Sequence, residues 1–312
     1  MKINENEFIW VEKYRPQTID DILLPESVKA IFKGYIDSNE IPNLLLTSTS
    51  PGLGKTSIAK VLVKDTKADM MMLNGNMDTG VDILRTRAMD FCSAASLDDT
   101  PRVVLVDECE MLSPQSMGSM KNFQETFTNV SFIFTANYIN KIPEPVRNRM
   151  IHFDFDDIYF RNKTELSKAI IKRLMYILEN EGIEYDKNDL PKVIKAFYPS
   201  TRGMIQALQR FSSSGKLELN ESLKEGANIY NLLLESVKDK NFKEMRSLVN
   251  NVVDCAGFYE YMFKNLDVLE DASKPEAILI LARYQDMDAS ARDKMITLAA
   301  CLVELMSKSK FV

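Results

Sequence analysis

Asn43–Thr47 (NLLLT) and Thr49–Thr56 (TSPGLGKT), one residue apart, decide the fold. A short apolar run bounded by turn formers reads as a strand buried on both faces. The second stretch is a glycine-containing turn that opens a helix predicted over Lys55–Lys67. Gly52 and Gly54 permit the backbone angles and close approach by which amide N–H groups surround an anion. Lys55 adds a point charge, and the helix N-terminus adds its dipole. Strand, loop and helix in this order form the setting of a phosphate-binding loop, in which the lysine reaches the β- and γ-phosphates and Thr56 offers an oxygen to Mg²⁺. Ser50, Pro51, Leu53 and Ser57 complete the nucleotide-contacting stretch. The full pattern begins with glycine, and Thr49 stands there instead.

Working outward, Met70–Asn74, Arg102–Asp107 (RVVLVD), Val130–Ala136 (VSFIFTA) and Met150–Phe155 are further predicted strands. Between them Asp82–Ser96 and Pro114–Phe127 read as helices. Continuous apolar strands alternating with helices predict an α/β domain with a parallel five-stranded sheet covered on both faces. The third strand ends in Asp107 and Glu108, about fifty residues after the phosphate loop. A carboxylate pair there fits a Mg²⁺-holding residue, Asp107, and a water-polarising one, Glu108. Asn137 follows the next strand at the sheet edge where α/β proteins bind ligands. By itself an asparagine there is an ordinary turn former.

Beyond Phe155 the strands stop. Helices are expected over Thr164–Glu181, ended by Gly182, and over Leu190–Phe197 and Arg202–Phe211. Ser212–Gly215 (SSSG) reads as a turn-rich linker. Residues 220–312 read as helix throughout, with breaks near Asp254–Gly257 and Lys274–Pro275. The expected division is therefore an α/β domain over 1–156, a small helical domain over 157–219 and a larger helical domain over 220–312.

These features together resemble the AAA+ ATPases, and within them the sliding-clamp loaders of DNA replication, most of all the large subunits of phage loaders and then the replication-factor-C small subunits. Trp10–Pro16 (WVEKYRP) is similar to the segment that opens clamp-loader ATPases and packs against adenine, which makes Val11, Tyr14, Arg15 and Pro16 base-pocket candidates. Glu144–Met150 (EPVRNRM) falls where the family has an S-R-C motif, so Arg149 is implied as an arginine finger reaching a neighbouring subunit's nucleotide. Asn148 and Met150 depart from that motif, and Arg147 lies only two residues away. Ser200–Gly203 (STRG) is similar to the lid segment whose arginine, here Arg202, contacts the γ-phosphate of its own subunit. The resemblance implies a P-loop AAA+ domain, a helical lid and an all-helical oligomerising collar.

By the same resemblance the implied activity is ATP hydrolysis that loads a ring-shaped sliding clamp onto primer–template DNA. ATP and Mg²⁺ are the implied substrate and ion. The implied partners are the clamp, DNA phosphates, further copies of the chain in a ring or spiral and a smaller subunit, in a host-cell cytoplasm. Arg85, Arg87 and Lys121 are candidate DNA contacts, although each alone is an ordinary solvated helix charge. The methionine-rich Glu110–Met120 is a candidate clamp-facing segment, or core. Met117 occupies the position where the family carries a coupling glutamine, with Gln115 two residues before it. The alternatives are a helicase loader or replication initiator of the same class, a catalytically dead scaffold, and a small-molecule P-loop kinase, which leaves the helical second half without a purpose.

Composition narrows the field less. Of 312 residues 45% are hydrophobic and 27% charged, values of an ordinary globular protein. The net charge of −6 offers no support for DNA binding, which must rest on position. No apolar run approaches the ~20 residues of a membrane span, and the polar, acidic Met1–Trp10 does not read as a signal peptide. Cys92, Cys109, Cys255 and Cys301 are too far apart, beside a single His152, for a zinc site or a disulfide framework.

Overall fold

A computed structural model describes residues 7–76, 81–94, 100–219, 229–252 and 255–312, with backbone alone at 81–85, 256 and 289–290. The described chain forms two compact units, one of residues 1–194 with 198–218 and one of 195–197 with 219–312.

The first unit is built on β1 (Leu44–Thr47), β2 (Asp69–Asn74), β3 (Arg102–Asp107), β4 (Val130–Ala136) and β5 (Ile151–Asp154). All pairings are parallel, in the order β2-β3-β4-β1-β5. Period-two alternation divides the apolar strands between two faces. Leu44, Leu46, Val103, Leu105 and Ile133 enter one core, and Leu45, Val104, Val106, Phe132 and Phe134 enter the other. α1 (Trp10–Lys13), α2 (Glu26–Asp37) and α3 (Lys55–Asp65) precede the second strand, and α4 (Val81–Ser93), α5 (Pro114–Thr126) and α6 (Glu144–Arg147) follow it. α3 covers the first core with Ile58, Ala59, Val61 and Leu62. α5 covers the second with Met117, Met120 and Phe123. The methionines of Glu110–Met120 are thus divided: Met117 and Met120 are core, and Met111 is exposed.

Besides the one-turn α1 and α6, two longer helices stand where no element was expected. α2 is one; its stripe of Val28, Phe32, Tyr35 and Ile36 packs on the first core, and Gly34 and the surrounding charges blur that period in the sequence. The other is α7 (Phe155–Arg161), which shortens the fifth predicted strand. The Asp154 side chain caps it, accepting from the amides of Asp156 at 3.0 Å and Asp157 at 3.4 Å. α8 (Lys163–Asn180), α9 (Leu190–Phe197) and α10 (Thr201–Phe211) follow. Ser212–Gly215 does not lead away from this unit. Gly215, at φ +83°, offers its carbonyl to the Glu184 amide, and Leu217 donates back to Glu184, so the turn is tied to the stretch after α8.

The second unit contains α11 (Ile229–Lys238), α12 (Phe242–Val249), α13 (Cys255–Lys264), α14 (Lys274–Ser290) and α15 (Lys294–Lys308). Leu233, Met245, Phe258, Ile280, Leu298 and Leu302 are fully buried in its core. The four cysteines are buried. Among the described residues no helix is long and apolar enough to cross a membrane.

Candidate active site

The strand order places the β4 end between those of β1 and β3, so three loops meet at one sheet edge. Residues 48–54 turn from β1 into α3 through Gly52 at φ +84° and Gly54 at φ +95°. A Cβ on Gly52 would lie 2.6 Å from Cβ of Arg202 and 3.0 Å from Oγ of Ser200. That close approach is how α10 docks on the loop. Ser200 caps α10, accepting from the Gly203 amide, and also donates to the Pro51 carbonyl at 3.0 Å.

Lys55 is 9% exposed, and its ammonium donates to the Ser48 carbonyl at 3.1 Å and to Oδ1 of Asn137 at 3.0 Å. Burial draws its pKa below the ordinary lysine value, opposed by the carboxylates of Asp156, Glu110 and Asp107. The Thr56 hydroxyl donates to Oδ1 of Asp107 at 2.7 Å, and Thr135 donates to the same oxygen at 2.5 Å. Glu108 sits in the left-handed region at φ 54°, its backbone amide donating to Thr135 Oγ1 at 3.0 Å and its carboxylate accepting from the Asn76 side-chain Nδ2. Gly75 passes so close that a Cβ there would lie 2.2 Å from the Glu108 carbonyl oxygen. Asn137 is held from behind, its N–H donating to Oε1 of the buried Glu110 at 2.8 Å.

A cleft of 340 Å³ joins these groups. From the sequence candidates it gathers Pro51 to Ser57, Asp107, Glu108, Asn137 and Arg202, together with Val11, Tyr14, Arg15 and Pro16 at the N-terminal segment. Tyr14 is 1% exposed and donates to Oε1 of Glu181 at 2.7 Å. Burial first, and that carboxylate second, push its pKa up. Thr49 and Ser50 do not line the cleft, nor does Arg149. Arg149 is exposed, donating to the Pro145 carbonyl at 2.6 Å and pairing with Glu125, which also lies 3.8 Å from Lys121. Arg87 is exposed on α4, whereas the side chain of Arg85 lies outside the described residues. Met117 is buried and Gln115 exposed.

Sequence reading missed Arg173, Asn76, Glu110 and Asp156. Arg173 lines the cleft and donates to the Tyr14 carbonyl at 3.2 Å, and burial lowers its pKa. All four reach the site through tertiary pairing, and none belongs to a local motif.

A parallel sheet with a glycine loop, a buried lysine and a threonine–aspartate pair at its carboxyl edge is the arrangement of a P-loop nucleoside triphosphatase. The model of the AAA family, ATPases associated with various cellular activities, matches residues 45–156. The sliding-clamp-loader large subunit of Enterobacteria phage T4 is 36% identical over 251 residues, 79% of this chain and 78% of that one. Its counterpart from Escherichia phage RB69 is 33% identical over the same span. The replication factor C small subunit of Saccharolobus solfataricus is 32% identical over 231 residues, 72% of this chain and 68% of the relative. Among solved structures a RuvB protein of Thermotoga maritima shares the fold, with a TM-score of 0.56 at 16% identity over 82% of this chain and 92% of its own. The chain is an ATPase of the AAA class, and it belongs to the sliding-clamp-loader family.

Proposed function

We propose that this chain is the ATPase subunit of a complex that loads a ring-shaped sliding clamp onto primer–template DNA during phage replication. Its 36% identity to a sliding-clamp-loader large subunit carries the clamp-loading part. The Thr56–Asp107 pair facing Lys55 and Asn137 carries the chemical part.

Thr56 and Asp107 are hard oxygen donors already 2.7 Å apart, a set that suits Mg²⁺. When bound there, the ion neutralises charge on the phosphates. Lys55, whose two partners are neutral oxygens, is free to turn its charge to the β- and γ-phosphates. Glu108 polarises the attacking water, with Asn137 hydrogen-bonding beside it. Arg202 reaches the γ-phosphate from the same chain. Val11, Tyr14, Arg15 and Pro16 hold the base, and residues 51–57 enclose the phosphates. Arg149, exposed and outside the cleft, is supplied to a neighbouring copy in a ring or spiral. An arginine given in trans is worth about 10³–10⁵ in rate in well-studied P-loop enzymes. Residues 157–219 form the lid and 220–312 the collar. Arg85, Arg87 and Lys121 contact DNA phosphates, and a smaller subunit completes the complex in the host cytoplasm.

The test is steady-state ATPase of the complex with primer–template DNA and clamp, beside Arg149→Ala. Joint stimulation by both, reduced by at least about a hundredfold in the variant, is expected. Stimulation by DNA with indifference to the clamp would transfer the chain to a helicase loader or initiator.

A further inference from the structure

The phosphate loop of this chain starts with Thr49 where the pattern has glycine, and a carboxylate outside the cleft receives that residue. Asp156 lies in the first turn of α7. Its Oδ2 accepts from the Thr49 amide at 2.7 Å and the Thr49 hydroxyl at 2.8 Å, and its Oδ1 accepts from the Ser48 hydroxyl at 3.0 Å. That one hydroxyl proton is shared with the Ser50 carbonyl at 2.7 Å; Ser48 Oγ also accepts from the Ser50 amide at 3.0 Å, and the Ser48 carbonyl accepts from Lys55 at 3.1 Å.

The meeting follows from register. β1 and β5 are parallel, with Thr47 opposite Asp154. Two residues beyond that pair on each chain are Thr49 and Asp156. The Asp154 cap turns the chain into helix there, presenting the Asp156 carboxylate to the loop. Of the carboxylates that favour the charged form of Lys55, Asp156 acts most strongly.

We infer that Asp156 is a positioning residue for the nucleotide: by accepting three hydrogen bonds from Ser48 and Thr49 it fixes the start of the phosphate loop, and through the Ser48 carbonyl it holds Lys55 in place. The threonine and the carboxylate form a matched pair that replaces the missing glycine. A glycine start would bring only its backbone amide; a threonine start adds a hydroxyl that must also be satisfied, and an ionised acceptor that takes both makes the stronger bonds.

This inference rests on the reading of 49–56 as the phosphate loop, so the experiment carries Lys55→Ala as its reference. The dissociation constant for ATP is measured on the full chain, well below the melting temperature of every variant, for Asp156→Ala, Asp156→Asn and Lys55→Ala. Asp156→Ala is expected to weaken ATP binding about tenfold, the size of losing charge-assisted hydrogen bonds. Asp156→Asn keeps an acceptor for Thr49 and an amide for Ser48, and is expected to stay within about threefold of the parent. Unchanged affinity in Asp156→Ala, with Lys55→Ala impaired, overturns the positioning role alone. Equal impairment of Asp156→Asn and Asp156→Ala overturns it too, because charge rather than hydrogen bonding would then be at work. Undiminished ATP binding by Lys55→Ala overturns the phosphate-loop reading beneath it.

Discussion

Gly52 has no room for a side chain: its φ is +84° and a Cβ would sit 2.6 Å from Cβ of Arg202. Two independent costs therefore meet in Gly52→Ala. The left-handed backbone costs a residue with a Cβ about 1–2 kcal/mol, and the clash forces the start of α10 away from the loop. We expect ATP affinity to fall by at least about tenfold, read as a rise in the dissociation constant, with secondary structure intact by circular dichroism. A Gly52→Ala variant that binds ATP as the parent does would remove α10 from the site. Residues of this kind were legible in the sequence, because Gly52, Gly54, Lys55, Thr56, Asp107 and Glu108 belong to short local patterns whose chemistry is explicit. Asp156, Arg173 and Asn76 were not, because each reaches the site through strand register or helix docking, which no local pattern encodes. Thr49 was the available signal for the first of them: an extra side chain at a crowded turn asks for a partner.

At the scale of elements, burial separates what supports the site from what decorates it. Ile58 is fully buried on α3, the helix that carries Lys55 and Thr56. Ile58→Ala is expected to destabilise the chain by about 2–5 kcal/mol, seen as an earlier denaturation midpoint. The strands were legible as apolar runs and α3 as the partner of its loop. α2 and α7 were not: the first carries its apolar stripe through a charged segment containing Gly34, and the second begins with Phe155, which also completes an apolar strand pattern. In the second unit α14 and α15 are joined by Glu304, which pairs with Arg283 at 2.7 Å and Lys308 at 2.8 Å. The hydrogen bonds from Lys308, then Arg283, draw its pKa down from 4.5 to about 2. A carboxylate depressed in the folded state adds stability that is complete above its unfolded pKa and is lost as pH falls toward the folded one. Glu304→Gln should therefore melt below the parent at about pH 6, and the gap should close as pH drops from about 4.5 to about 2. A gap that stays constant over that window would show that the pairing adds nothing.

At the scale of the whole molecule, the proposal that Arg149 serves a neighbouring copy makes assembly testable. The residues gathered around it include the basic side chains Lys55, from the phosphate loop, and Arg173 and Arg202, from the helical region after β5, while Arg149 lies outside, exposed beside Glu125. If Arg149 serves a neighbour, two differently disabled chains can repair each other. Lys55→Ala has no working phosphate loop of its own but still presents Arg149; Arg149→Ala keeps its loop and lacks only the borrowed arginine. Complexes assembled from either variant alone, with the smaller subunit, clamp and DNA, should hydrolyse ATP at least about a hundredfold more slowly than the parent. Equimolar mixtures should recover activity, because every Arg149→Ala loop that sits beside a Lys55→Ala neighbour is complete. If Arg149 instead acts within its own chain, no mixture contains an intact site and the rate stays at the level of the single variants. The measurement therefore separates a site shared across a ring from one closed within the chain, and it does so without altering any residue of the intact loop that hydrolyses.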